Sequence, residues 1–457
     1  MISNLQKKIF LSNQRCIFIS IVFVSILLTT RLFLFVAEKG VNLLFWDEWD
    51  FLTPLFTGND DIWTLFTWQH GLHRQGIGFF IIKPIAELSR WNTRVDELFI
   101  AATIIVALIC TLLLKRMLWG PFSLSDVILP FFVLNLIQYE TIIGTPNISA
   151  SALPLALVIV YCMSWIIRNE TLKYSTIFIL NFMMIFTGYA LLIAPINLAL
   201  LVIEIFQNRK ERIMIVKKVP FWAFMGSILS IGIFLIGYKF QTGVTCFSFK
   251  PSFLLKYPAY ISMMFAKFIR LDLLSNSKIM VLGGFVLVSI ITMVFALHFW
   301  RITRYRLIDN QQSVIIVILL GYSLFFAIST ALGRVCLGVE SSLASRYTTL
   351  LVPAFIGLYL HIVDISRPNY RRLAIGIVLL IQLVSLFPFV GQDTQIIEFY
   401  STDKENWKRC YLQTGDYTYC NQEVGFRIYP NDDERIEKHL LFLKNNHLNL
   451  FLDDPIK

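Results

Sequence analysis

The run CIFISIVFVSILLTTRLFLFV at residues 16–36 is followed within ten residues by FWDEWD at 45–50. An apolar run of that length crosses a hydrocarbon core of about 30 Å as a helix. Lys7, Lys8 and Arg15 precede it, as they would a signal peptide. The run exceeds a signal-peptide core, however, and no small-residue cleavage site follows. It reads as an uncleaved first span with a cytoplasmic N-terminus, and Arg31 near its outer end snorkels or faces the bundle.

The remainder of the 457 residues repeats the pattern. Apolar residues make up 56%, charged residues 15%, Phe alone counts 40, and mean hydropathy is +0.66. An ordinary soluble domain carries about 25% charge. Ten further spans are expected near 95–114, 124–142, 152–167, 174–190, 191–206, 220–239, 279–299, 314–333, 349–364 and 373–391. Gly188 and Pro195 divide the stretch 174–206. Eleven spans give an all-α polytopic bundle with its C-terminus outside.

Charge placement agrees. Segments 1–15, 115–126, 168–174, 204–219, 300–313 and 364–373 hold 18 Lys and Arg against six acids. The formal +10 is therefore +12 on cytoplasmic loops and −2 elsewhere. It follows the positive-inside rule and excludes nucleic acid as a partner. The lipid bilayer is the partner it implies. Seven cysteines without a CxxC pair exclude a zinc ribbon or thioredoxin-like site. The chain divides into a membrane domain, 1–391, and an outer tail, 392–457. Long outer loops lie at 37–94 and 240–278, with a shorter one at 334–348. Residues 77–88, carrying Lys83, Pro84 and Glu87, suit an interfacial or re-entrant helix, and Ile436, Leu440 and Leu443 mark a helix over 434–446.

Chemistry gathers on the outer side. Trp46-Asp47-Glu48-Trp49-Asp50 combines rings that stack on sugars with carboxylates that accept a hydroxyl proton; the alternative is an interfacial aromatic belt with solvated acids. In a helix Asp47 and Asp50 share a face and Glu48 points about 100° away. His70 and His73 can bind substrate or ligate a metal, though two ligands do not make a site. Arg74 beside them could hold a lipid phosphate. Glu140, in Gln138-Tyr139-Glu140, faces a cavity or marks the membrane boundary. Arg334 and Arg346-Tyr347 flank a Gly- and Ser-rich turn and offer guanidinium forks matched to phosphate; snorkelling or pairing with Glu340 is the alternative. Cys410 and Cys420 suit a disulfide in an oxidising compartment. Cys246 and Cys336 are either paired or free, whereas Cys16, Cys110 and Cys162 fall in spans.

An acid-bearing first outer loop, a many-span body and a folded outer tail resemble the GT-C class of polyprenyl-phosphate-sugar-dependent glycosyltransferases. Trp46 to Trp49, His73-Arg74, Gln138 to Glu140 and Ser345 to Tyr347 are similar to motifs of bacterial GT-C-like membrane proteins. Size, odd span count and the cysteine-bearing tail are similar to phage-type serotype-converting O-antigen glucosyltransferases. The resemblance implies a bacterial inner-membrane enzyme moving a hexose, glucose first, from a polyprenyl-phosphate carrier to an O-antigen or other glycan acceptor on the periplasmic side. It implies Asp47 or Glu48 as base in an inverting displacement, and no cofactor beyond an optional divalent cation. The competing classes are a flippase of lipid-linked sugars, which calls for repeated halves and ionisable residues deep in the spans, and an O-antigen polymerase or ligase.

Overall fold

The computed structural model describes residues 2–144, 148–207, 219–240, 250–274, 276–384, 386–387, 389, 391–430 and 434–453, with side chains from residue 14 onward. Nearly all of the described chain is helical, and its strands form a single two-stranded hairpin. Seven helices are long and apolar enough to cross a membrane: Gln14–Lys39, Thr93–Trp119, Leu124–Ile143, Gly188–Gln207, Ser277–Arg304, Leu307–Leu337 and Ser345–Val363. The other four expected spans coincide with shorter helices, Leu153–Ser164, Glu170–Ile185, Val219–Leu235 and Pro368–Val384.

Ile19, Phe23, Leu34, Leu282 and Met293 are exposed on the long helices. Apolar surface on that scale belongs against lipid. Helices Lys256–Phe268 and Ser277–Arg304 pack side by side, as do Gln311–Arg334 and Thr348–Val363. The first pair touches at Gly284, where a Cβ would collide with the main chain of Ser262. Small residues let apolar helices approach this closely in the absence of a hydrophobic drive.

The span Leu124–Ile143 is broken at Leu134 and Asn135. Asn135 Oδ1 accepts from Ile137 N–H at 3.0 Å, and Gln138 Nε2 donates to the Val133 carbonyl at 2.7 Å. Side chains thus satisfy main-chain groups that the break frees, the condition for irregular backbone at membrane depth. The break delivers Glu140 to one end of the bundle.

At that end residues Gly76–Ser89 form a helix where one was expected, and the tail folds into Gln392–Glu398, Lys404–Thr414, Tyr417–Glu423 and Glu434–Asn445. Cys410 and Cys420 are disulfide-bonded, with Cα atoms 5.8 Å apart. Cys336 is also in a disulfide, and Cys246 lies outside the described residues. Trp407 is fully buried in the tail, stacked 5.2 Å from Tyr411 and donating to Asn421 Oδ1 at 2.8 Å. Phe45 of the first outer loop inserts among Phe399, Tyr400 and Phe426, with ring centres 5.3–5.8 Å away. Loop and tail share one apolar core.

Candidate functional site

The acidic turn is a five-residue helix, Asp47–Phe51. Trp46 precedes it at φ +48°, ψ −116°, a conformation that strains any residue with a Cβ. Tail packing holds it there: Trp46 N–H donates to the Ile428 carbonyl at 2.8 Å, and its half-buried ring lies 5.2 Å from Phe45. The strained entry sends the two neighbouring acids in opposite directions.

Glu48 turns inward and is 8% exposed. Its Oε2 accepts from Phe45 N–H at 2.6 Å. It lines a small cavity of about 30 Å3 with Thr93, Asp96 and Glu97. Burial pushes its pKa up to about 7, further helped by Asp47, against the pull of Lys404 and the Phe45 N–H. Asp47 turns outward, with its side chain 63% exposed and His70 Nε2 at 3.9 Å. Partial enclosure by the loop walls pushes its pKa up. The nearby His70, with the charges of Arg346 and Arg334, outweighs that push and holds it below the ordinary carboxylate range.

The remaining members of the acid and aromatic cluster are structural. Asp50, expected at the substrate, instead pairs with Arg435 Nη2 at 2.8 Å and accepts from Tyr429 Oη at 3.1 Å, tying the turn to the tail. Trp49, expected to stack on sugar, is fully buried with its ring 6.0 Å from Phe56 and 6.3 Å from His439. Trp46 is the tryptophan left at the surface of the site.

Residues 69–74 form the hairpin, with His70 opposite His73 and Gly71 at φ +59° in the turn. The histidines diverge. His70 approaches Asp47, whereas the His73 ring packs 4.2 Å from Tyr189. Burial, reinforced by His70 and Arg334, lowers the His73 pKa to about 4, so it is neutral near pH 7. Among the described residues no three His, Cys, Asp or Glu side chains converge as metal ligands. Arg74 is buried, and its guanidinium donates to the carbonyls of Thr67, Phe234 and Ile236. It closes the end of helix Val219–Leu235, which removes it from the expected phosphate set.

Within electrostatic reach of Asp47 is a cationic wall made where two sequence motifs interlock. Glu140 N–H donates to Ser345 Oγ at 3.2 Å, and Ser345 Oγ donates to the Ile137 carbonyl at 2.5 Å. Arg346 N–H donates to Glu140 Oε2 at 3.1 Å, and its Nη1 lies 3.6 Å from Glu140 Oε1. Thr349 Oγ1 donates to Gln138 Oε1 at 2.9 Å. Arg334, the last residue of helix Gln311–Arg334, stands within electrostatic reach of Arg346, Tyr189, Tyr260 and Tyr347. Neither arginine pairs with Glu340 among the described residues. The wall thus offers two guanidinium groups, one braced by a buried carboxylate, and several phenolic hydroxyls.

Sequence reasoning missed the clamp behind the turn. Asn449, at φ +51°, accepts at Oδ1 from Leu44 N–H at 3.1 Å and donates from Nδ2 to Asn42 Oδ1 at 3.1 Å and to the Trp91 carbonyl at 2.7 Å. Asn42 Nδ2 returns a bond to the Asn449 carbonyl at 2.8 Å. Asn is the residue expected where a left-handed backbone must also bond neighbouring main chain, so His447-Leu448-Asn449 carries a faint local signal. Of the wall's tyrosines, Tyr347 is marked by its motif, whereas Tyr189 and Tyr260 carry no such signal. No known protein-family model and no curated protein matches the chain.

Proposed function

We propose that this protein is a GT-C-type glycosyltransferase that moves a hexose from a polyprenyl-phosphate carrier to a glycan hydroxyl. The observation that carries the reading is an exposed, ionised Asp47 within electrostatic reach of the guanidinium groups of Arg334 and Arg346. Transfer from a sugar phosphate needs these two charges on opposite sides of an anomeric carbon. The acceptor oxygen attacks that carbon while its proton passes to Asp47 Oδ. The bond from the anomeric carbon to the phosphate oxygen breaks on the opposite face, inverting the centre, and its electron pair leaves with the phosphate. Arg334 and Arg346 receive that growing negative charge. Tyr347 lies beside them, and Trp46 offers a stacking face for a sugar ring.

Glu48 belongs to a different role. Glu48 is buried and its Oε2 is taken by the Phe45 N–H, so the reading assigns the base to the exposed Asp47. In this reading the chain crosses the bacterial inner membrane eleven times with its N-terminus cytoplasmic. The site and tail then face the periplasm, where an O-antigen is the acceptor and glucose the sugar of first choice.

The test is transfer in detergent from a synthetic polyprenyl-phosphate hexose, where no barrier exists for a flippase to cross. Asp47→Asn is expected to lower the rate by about 10²–10⁴ and Arg346→Ala to lower it comparably. Undiminished transfer by Asp47→Asn removes the base. Absence of transfer by the parent protein, with lipid scrambling in vesicles, replaces the enzyme with a flippase.

A further inference from the structure

A groove of about 350 Å3 runs beside the first helix, walled by Leu27, Thr30, Arg31, Leu34, Phe35 and Leu136. Glu38 sits at one end, its carboxylate 2.8 Å from Lys39. Leu27 and Leu34 are exposed, so the groove opens on the surface that lipid covers. Among the described residues Arg31 has no hydrogen bond or ion pair, and the nearby charge acting on it is a second cation, Arg270.

Arg270 is 3% exposed and held at φ +60°. Its guanidinium lies 5.7 Å from the centre of the Phe389 ring, which stands 6.4 Å from Phe35 in the groove wall. Its Nε and Nη2 are buried and donate to nothing. Asp272 Oδ1 is 3.7 Å from Nε, beyond hydrogen-bond reach. Lys267 takes the other oxygen of Asp272 at 2.8 Å and both oxygens of Asp393 at 2.7 and 2.8 Å. Three cations, Arg31, Lys267 and Arg270, therefore meet Asp272 and Asp393, while Glu38, the acid in the groove lining, is taken up by Lys39. Two of those cations repel each other in a medium of low dielectric, and one guanidinium presents idle donors. That is the environment an anion completes.

We propose that the groove binds an anionic lipid, with its phosphate held by Arg31 and Arg270 and its chain along Leu27 and Leu34. The shared chemistry is a lipid phosphate, whether of a polyprenyl carrier or of a glycerophospholipid. The site is distinct from the Arg334–Arg346 wall and does not depend on the proposed reaction. It touches that wall indirectly. Tyr139 Oη donates to Asp393 Oδ1 at 2.9 Å, and Tyr139 adjoins Glu140, so a bound phosphate rests against the network that supports Glu140.

Native mass spectrometry of the full chain, stripped of lipid in detergent and then titrated, tests this. The probes are phosphatidylglycerol, a short polyprenyl phosphate, and diacylglycerol, which lacks phosphate. An Arg346→Ala background removes the proposed donor site, so the two sites are read separately. In that background one phosphate lipid is expected to bind and diacylglycerol is not. Adding Arg31→Leu, which leaves an aliphatic side chain on a lipid-facing helix and spares the buried Arg270, is expected to weaken binding about tenfold or more. Competition between the two phosphate lipids names the occupant. Equal retention with and without Arg31→Leu, or equal retention of diacylglycerol, overturns the site.

Discussion

Glu140 takes the main-chain N–H of Arg346 on one carboxylate oxygen at 3.1 Å and faces the guanidinium of the same residue with the other at 3.6 Å. The acid thereby orients Arg346 through backbone and side chain together. Glu140→Gln keeps an acceptor for the N–H and loses the charge. In a double-mutant cycle with Arg346→Ala, read on kcat/KM for sugar transfer, the two changes are expected to couple by about 0.5–3 kcal/mol. Simple additivity would mean that Glu140 does not act through Arg346.

In the proposed reaction His70 is expected to set the acid limb of activity. The Asp47 pKa is depressed because His70, Arg346 and Arg334 together outweigh the upward push of enclosure. The base form then persists below the ordinary carboxylate range. The same shift stabilises the fold above the unfolded carboxylate pKa, and that contribution is lost as pH falls through the folded value. His70→Ala removes the first of the opposing influences, so the acid limb of kcat/KM is expected to move to higher pH. An unmoved limb would show that His70 does not tune the base.

Glu48 acts on stability in the opposite sense. Its pKa of about 7 means that the folded state holds a proton that the unfolded state has released above about 4.3. Stability therefore falls as pH rises between those values. Glu48→Gln keeps an acceptor for the Phe45 N–H and removes the buried charge. It is expected to raise thermal stability more at pH 8 than at pH 5, by a difference of about 3 kcal/mol, with transfer activity kept within about tenfold of the parent. Equal gains at both pH values would place the carboxyl in water.

Asn449→Ala is expected to strip the Leu44 N–H of its acceptor and to cost about 1–3 kcal/mol for that group alone. Limited proteolysis of the first loop and tail should quicken together, because both ends of the clamp lose partners. Cleavage confined to the tail would separate it from the loop.

Hydropathy carried the membrane body well, because a bilayer imposes one length on every crossing helix: seven of the eleven expected segments fall on helices long and apolar enough to cross, and the other four on shorter helices. The break at Leu134 and Asn135 escaped notice because an apolar average does not register which carbonyls a Gln or Asn side chain satisfies. Gln138-Tyr139-Glu140 and Ser345-Arg346-Tyr347 stood out separately, yet their meeting joins residues 206 apart and leaves no local trace. Trp49 and Arg74 were misread for the same reason. A tryptophan beside acids stacks equally well on a sugar or on Phe56, and a guanidinium bonds phosphate or the carbonyls at a helix end. Distant packing partners made both choices.

The Asn42–Asn449 clamp gives the protein a timetable. During synthesis 407 residues separate its two halves. At about 5–20 residues per second that gap lasts roughly 20–80 s. Through this interval Trp46 has no Ile428 carbonyl to hold it in its strained conformation, and Asp47 has no fixed direction. A half-made chain already threaded into the bilayer consequently lacks the fixed turn that the proposed reaction needs, and gains it with the last helices of the tail.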